Sequence, residues 1–291
     1  MKQMTTYLPT PDPYPISFAD ATVEPDPEPV IVDISHWQKK ILDIEKMVSN
    51  AHGVIIRAGS IDNVMGRCYV DYDFHENTEK LQGLLPLGAY WYYRPNKDPL
   101  KQAGAFCEYM APHEFNIPPV ADVECNPNWD SKYDFARWLH KFVIRVEVLS
   151  GVRPMIYTRG YFWNDNLGNP AWAGDYDLDI ARYTNQLKPW GNGIEETDKF
   201  RPAPWDTWRL WQWSADGNMR GAEFGVGSNS IDVNRYNGSL SEFYRWTNWK
   251  QTVPEPPTPP VEPSGCCICK AWGTVSKLAD NAIKNCSCKK E

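Results

Sequence analysis

An α/β fold closing into an irregular TIM-like barrel is what this sequence predicts, and three observations carry it. PVIVDIS, GVIIRAG, LGAYWYYR, PPVADVE and RPMIYT are short continuous apolar or aromatic runs, the pattern of strands buried on both faces. Amphipathic stretches separate them through the first half, and this β-α-β-α order forces a parallel sheet through right-handed crossovers. After Thr158 the pattern changes: LDIARY, TWRLWQW and SIDVNRY are strand-like, but the segments between them are rich in Gly, Pro, Asn and Asp and predict no long helix. A chain of 291 residues most economically closes such a sheet into one barrel that loses helices in its last strands.

Taken in order, residues 1–29 read as an acidic, Pro-rich N-terminal arm (PDPYP, VEPDPEP) with too few aliphatic side chains to offset the entropy of ordering. The barrel spans residues 30–250. Its helices are predicted from about Phe74 to Leu84, from about Pro99 to Met110 with proline in the first turn, and after Asp130. The last is the clearest: Asp130 is a good N-cap, Phe135, Leu139, Phe142, Val143 and Val146 recur at helical spacing, and Gly151 supplies the stop. A Pro-rich linker over residues 251–264, containing VPEPPTPPVEP, precedes a Cys-rich tail over residues 265–291.

Composition narrows the partners. Aromatic residues make up 13% of the chain with 14 Trp, whose flat apolar faces and indole N–H suit sugar rings, so carbohydrate is the first ligand to consider beside simple core packing. A net charge of −7 and a pI of about 5.4 argue against nucleic acid, which requires a basic surface. No apolar run approaches the roughly 18 residues of a membrane span, and the N-terminus lacks the apolar core of a secretory signal. The expectation is a protein made in a cytoplasm, with Cys68, Cys107 and Cys125 reduced.

Functional groups of such barrels gather at the C-terminal ends of the strands. Four acidic residues fall there: Asp33 in VIVDIS, Asp122 and Glu124 in VADVE, and Asp232 in SIDVNRY. Asp122 and Glu124 lie two apart on a strand and so share one face, while Val123 and Cys125 take the other, which sets Cys125 aside as a nucleophile. Two carboxylates on an apolar strand conflict with burial unless they are paired, solvated in a pocket or functional. Neighbouring carboxylates push their pKa values apart, leaving one acid and one base, as cleavage of a glycosidic bond requires; cation or arginine binding is the alternative. Tyr90 and Tyr92 share a face of the aromatic strand LGAYWYYRP, and WQWSADG offers further rings, with core roles weighed equally.

The ordered series VDISHWQ, GVIIRAG, DYDFHEN, LGAYWYYR, ADVE, RPMIYT, LDIARY, WQWS and SIDVNRYNG, from about Val30 to Tyr244, resembles glycoside hydrolase family 25, the Chalaropsis-type lysozymes common among phage endolysins. The resemblance implies a barrel of five βα units with further strands. It implies Glu124 as the acid, Asp122 as the second essential carboxylate, and Asp33 and Asp232 as positions that hold the acetamido group and tune Glu124. Tyr90, Tyr92, Tyr157, Gln212 and Trp213 fall in segments that line the cleft in relatives, and Arg57 and Arg94 are candidates to pair with the acidic cluster or the muramyl lactate. The implied substrate is the β-1,4 bond between N-acetylmuramic acid and N-acetylglucosamine in bacterial peptidoglycan, with no cofactor.

Two alternatives stay open on the sequence: a non-catalytic glycan-binding or virion structural protein on the same barrel, and a glycosidase of another N-acetylhexosamine polymer such as chitin. In the tail, Cys266 and Cys269 as C-x-x-C with Cys286 and Cys288 as C-x-C supply enough thiolates for one zinc ion, and disulfides are the other expectation.

Overall fold

The computed structural model describes residues 28–125, 131–183 and 198–250. Its elements run β1 (Val30–Ile34), α1 (Ile44–Asn50), β2 (Gly53–Ile61), β3 (Cys68–Val70), α2 (Phe74–Leu81), β4 (Leu87–Tyr92), α3 (Pro99–Met110), β5 (Val120–Asp122) and α4 (Lys132–Ser150). The second half follows as β6 (Met155–Arg159), α5 (Gly160–Asn166), β7 (Leu178–Ala181), β8 (Leu210–Ser214), β9 (Asp232–Tyr236) and α6 (Leu240–Trp246), with short 3-10 turns between strands. The linker and tail, including Cys266, Cys269, Cys286 and Cys288, lie outside the described residues, as does the arm except for Glu28 and Pro29. No helix among the described residues is long and apolar enough to cross a membrane.

Nine strands share one sheet, and eight of them close into a ring, because β1 pairs with β2 on one side and with β9 on the other. From β1 through β8 the ring neighbours run parallel, whereas β9 is antiparallel to both β8 and β1. Within the ring only β9 departs from the parallel order expected of repeated βα units. A parallel return needs a crossover along the barrel, but the link from Ser214 to Asp232 contains only two short 3-10 turns, so the chain re-enters from the end at which it left. β3 stands outside the ring as a short antiparallel partner of β2. Its backbone crosses so close to the β2 bulge that a Cβ on Gly59 would collide with the Tyr69 carbonyl.

The caps explain where helices begin and end. Asp98 accepts from the Leu100 and Lys101 amides at the start of α3, where Pro99 lacks an N–H to lose. For α4 the cap is Ser131, which accepts from Asp134 N, rather than Asp130, and Gly151 ends the helix at φ 72°. α2 stops at Leu81, short of Leu84, because Gly83 takes φ 81°. α6 carries a capping box, Ser239 with Glu242, that the sequence reading passed over.

Burial of both strand faces divides the core in two. Val32, Ile34, Val54, Ile56, Ala121 and Ile180 point outward into the layer beneath the helices, which is the larger cluster. Ile31, Ile55, Val120, Met155, Leu210 and Tyr236 point into the barrel, with Ile117 and Phe243 of α6 packed among them. A Cβ on Gly53, the first residue of β2, would lie 2.8 Å from Phe243 Cζ, so this ring closes the barrel at the N-terminal ends of the strands. The opposite end is left for polar side chains.

Candidate active site

The pleat that turns Ile31 and Val120 into the lumen also turns in the residues two further along, Asp33 and Asp122. The strand register assembles a row across the barrel: Asp122 of β5 is level with Tyr157 of β6, which is level with Asp179 of β7. Asp33 is level with Asp232 because the antiparallel β9 starts where β1 ends. Glu124 lies just past β5 and remains partly exposed at the mouth, its side chain 30% accessible, whereas Asp122 and Asp179 are buried. These five carboxylates line one cavity of about 190 Å³ together with Tyr90, Tyr157, Arg159, Tyr183 and Gln212, with Ile55 and Val120 contributing apolar wall.

A chain of hydrogen bonds fixes the floor. Asp33 Oδ2 accepts from Gln212 Nε2 at 3.0 Å and from Asn234 Nδ2 at 2.8 Å. Gln212 in turn accepts the Tyr157 hydroxyl at 2.8 Å, and Arg159 donates to the Tyr183 hydroxyl at 3.2 Å. Arg159 also stands 3.6 Å from Glu124 Oε2. By contrast Asp122 Oδ1 and Asp179 Oδ1 are buried with no hydrogen-bond partner among the described residues.

Five carboxyl groups in one partly desolvated cavity cannot all ionise. Burial is the first cause in each case. It raises Asp122 well above the ordinary range with help from the Glu124 charge, and Asp179 likewise with help from Asp33. Burial also raises Glu124, against the opposing pull of Arg159. Asp33 is raised by burial but moderated by its hydrogen bonds from Asn234, Gln212 and Asp232, while Asp232 is pushed up to about 10 by burial and by the Asp33 charge. Asp232 therefore holds the proton and donates it toward Asp33. Such a site favours the protonated form of its accessible carboxyl, the direction that general acid catalysis requires.

Of the residues expected from sequence, the cavity brings together Asp33, Asp122, Glu124, Asp232, Tyr90, Tyr157 and Gln212. Four others do not line it. Trp213 alternates with Gln212 and so turns outward into the layer beneath the helices. The Tyr92 ring lies between the guanidinium groups of Arg57 and Arg94, 5.2 and 4.6 Å from its centroid. Arg57 is 3.8 Å from the buried Asp71 and donates to Tyr69, reaching Asp122 and Glu124 only through its field. Arg94 contacts Cys125 Sγ at 3.3 Å and is not part of the cavity lining. Asp179, Arg159 and Tyr183 were missed. Asp179 had a signal, since one acid in the apolar run LDIA poses the same burial conflict as Asp122. Among the described residues no group of three or more His, Cys, Asp or Glu could hold a metal ion.

A closed barrel whose strand ends present a half-exposed acid over buried carboxyls is the arrangement of a glycoside hydrolase. The family model for glycosyl hydrolases family 25 matches residues 32–222, and the chain belongs to that family. Lysozyme M1 of Streptomyces globisporus is 26% identical over 230 residues, covering 75% of this chain and 70% of that protein. The crystal structure of a lysozyme from Streptomyces coelicolor is similar in fold, with a TM-score of 0.58 and 24% identity over 76% of this chain and 98% of that one. The CTP1L endolysin is similar in fold too, with a TM-score of 0.57 and 20% identity over 76% of this chain and 69% of that one.

Proposed function

We propose that this enzyme is a lysozyme, an N-acetylmuramidase that hydrolyses the β-1,4 bond between N-acetylmuramic acid and N-acetylglucosamine in bacterial peptidoglycan. The observation that carries the reading is the placement of Glu124 at the mouth and Asp122 beneath it, in a cavity whose burial favours the protonated acid. Glu124 gives its proton to the glycosidic oxygen as the anomeric C–O bond breaks, and recovers one from the water that completes hydrolysis. Asp122, with Oδ1 unpartnered, is oriented to accept a hydrogen bond from the nucleophile, whether the sugar's own acetamido group or an attacking water. A retained product anomer selects the first and an inverted one the second.

The likeness to lysozyme M1 supports the substrate, and the likeness to an endolysin supports a phage-type lysin that meets the wall after release from the host cytoplasm or as a virion component. Digestion of purified peptidoglycan beside chitin tests the substrate by product mass. Glu124→Gln is expected to abolish release of reducing ends with an unchanged melting temperature; activity persisting in that variant overturns the assignment.

A further inference from the structure

Asp179 is the one carboxyl of the cavity to which neither the reaction described above nor the family resemblance gives a role. It sits within β7, is 3% exposed, and lines the cavity with its Oδ1 unpartnered among the described residues. Its surroundings are not those of a structural acid. Asp33 Oδ2 is already taken by Gln212 and Asn234, and Asp232 is bonded to Asp33. Among the described residues no arginine or lysine answers Asp179: its register partners are Tyr157, whose hydroxyl is spent on Gln212, and Leu210. A buried polar atom without a partner is destabilising, a cost that a structural role would have relieved. A ligand atom relieves it instead.

We propose that Asp179 is a substrate-binding and specificity-determining residue whose carboxyl pairs with the acetamido group of the N-acetylhexosamine seated in the cavity. The inference rests on the muramidase reading and deepens it. Burial and the Asp33 charge favour the protonated form of Asp179, in which it offers an O–H donor beside a C=O acceptor, the complement of an amide's C=O and N–H. A sugar hydroxyl presents donor and acceptor on a single atom and fits this pair less well. The methyl of an acetamido group also matches the apolar wall of Ile55 and Val120, which a bare hydroxyl or amine would leave unfilled. Asp122 stands one strand beyond Tyr157 in the same row, two strand spacings along the wall from Asp179, so an acetamido group paired with Asp179 leaves Asp122 to take its hydrogen bond from the attacking water.

The test is a binding experiment on the full chain carrying Glu124→Gln, so that turnover does not intrude. The ligands are soluble glycan strands from peptidoglycan stripped of peptide, used natively and after chemical de-N-acetylation. The parent is expected to prefer the native strand. Adding Asp179→Ala should weaken the native strand roughly tenfold and leave the de-N-acetylated strand unchanged, while Asp179→Asn, which keeps a donor beside an acceptor, should stay within about threefold of the parent on both. Equal loss on both strands, or no loss on the native one, overturns the role of Asp179, and melting curves identify an alanine variant that has lost its fold, in which case failure of Asp179→Asn on both strands alike overturns it. If wild-type enzyme releases no reducing ends from the wall and the parent binds neither strand, the muramidase reading itself falls.

Discussion

Two levels of one barrel lumen, built by the same strands, differ by a single step of the pleat. At the lower level Ile31, Val120, Met155 and Leu210 face inward around Phe243. Two residues further along, the same faces carry Asp33, Asp122, Tyr157 and Gln212. The lower level removes apolar area from water at about 25 cal/mol per Å² and leaves nothing unsatisfied. The upper level does the reverse: it holds carboxyl groups out of water, two of them with an unpartnered oxygen. One level is arranged for stability, and the other carries a cost in stability.

Substitutions on each level should separate the two. Asp122→Asn is expected to have the largest effect, lowering kcat by roughly two to four orders of magnitude. Its melting temperature at neutral pH should hold or rise, since an acid whose pKa is raised by burial is relieved by a neutral isostere. Phe243→Ala should do the opposite, costing about 3–5 kcal/mol of stability through the cavity left among Ile31, Met155 and Tyr236, with turnover per folded molecule preserved. A comparable fall in kcat for both variants would break the distinction.

pH sharpens the comparison with a smaller effect. Asp232 is raised from 3.8 to about 10, so its contribution to stability is complete below the unfolded value and is lost as pH rises toward the folded one. Melting temperature should therefore decline from about pH 5 to about pH 9 by several degrees, and Asp232→Asn should flatten that slope. An unchanged slope would mean that the proton is not held on Asp232. Smallest of all, Trp213→Phe should change activity by less than about threefold, because the ring fills the layer beneath the helices and not the cavity, while costing on the order of 1 kcal/mol of stability.

Much of this was legible along the chain. Continuous apolar runs marked strands buried on both faces, and α3 over Pro99–Met110 follows from its proline and its Asp98 cap. The parity of Asp122 and Glu124 by itself directs both toward one cavity. Parity could also have parted Gln212 from Trp213, which cannot both face the lumen of a regular strand, and could have drawn Asp179 out of LDIARY. Arg159, the last residue of β6, shares a face with Tyr157 and could have been drawn out by the same parity, whereas Tyr183 lies two residues past the end of β7, where direction depends on packing rather than on period.

What the sequence by itself determined is the alternation: which residues of each strand share a face, and hence that acids stand on the same faces as the apolar plug. Only the tertiary structure decided which strands are neighbours and which way they run. Asp232 shows the difference. In a wholly parallel barrel the first residue of the last strand would open at the plugged end, far from Asp33. Because the link after Ser214 lacks a crossover helix, β9 runs antiparallel, and its first residue meets the last turn of β1 in register. The pairing of Asp33 with Asp232, and the shared proton between them, is thus a property of chain direction that no local pattern encodes.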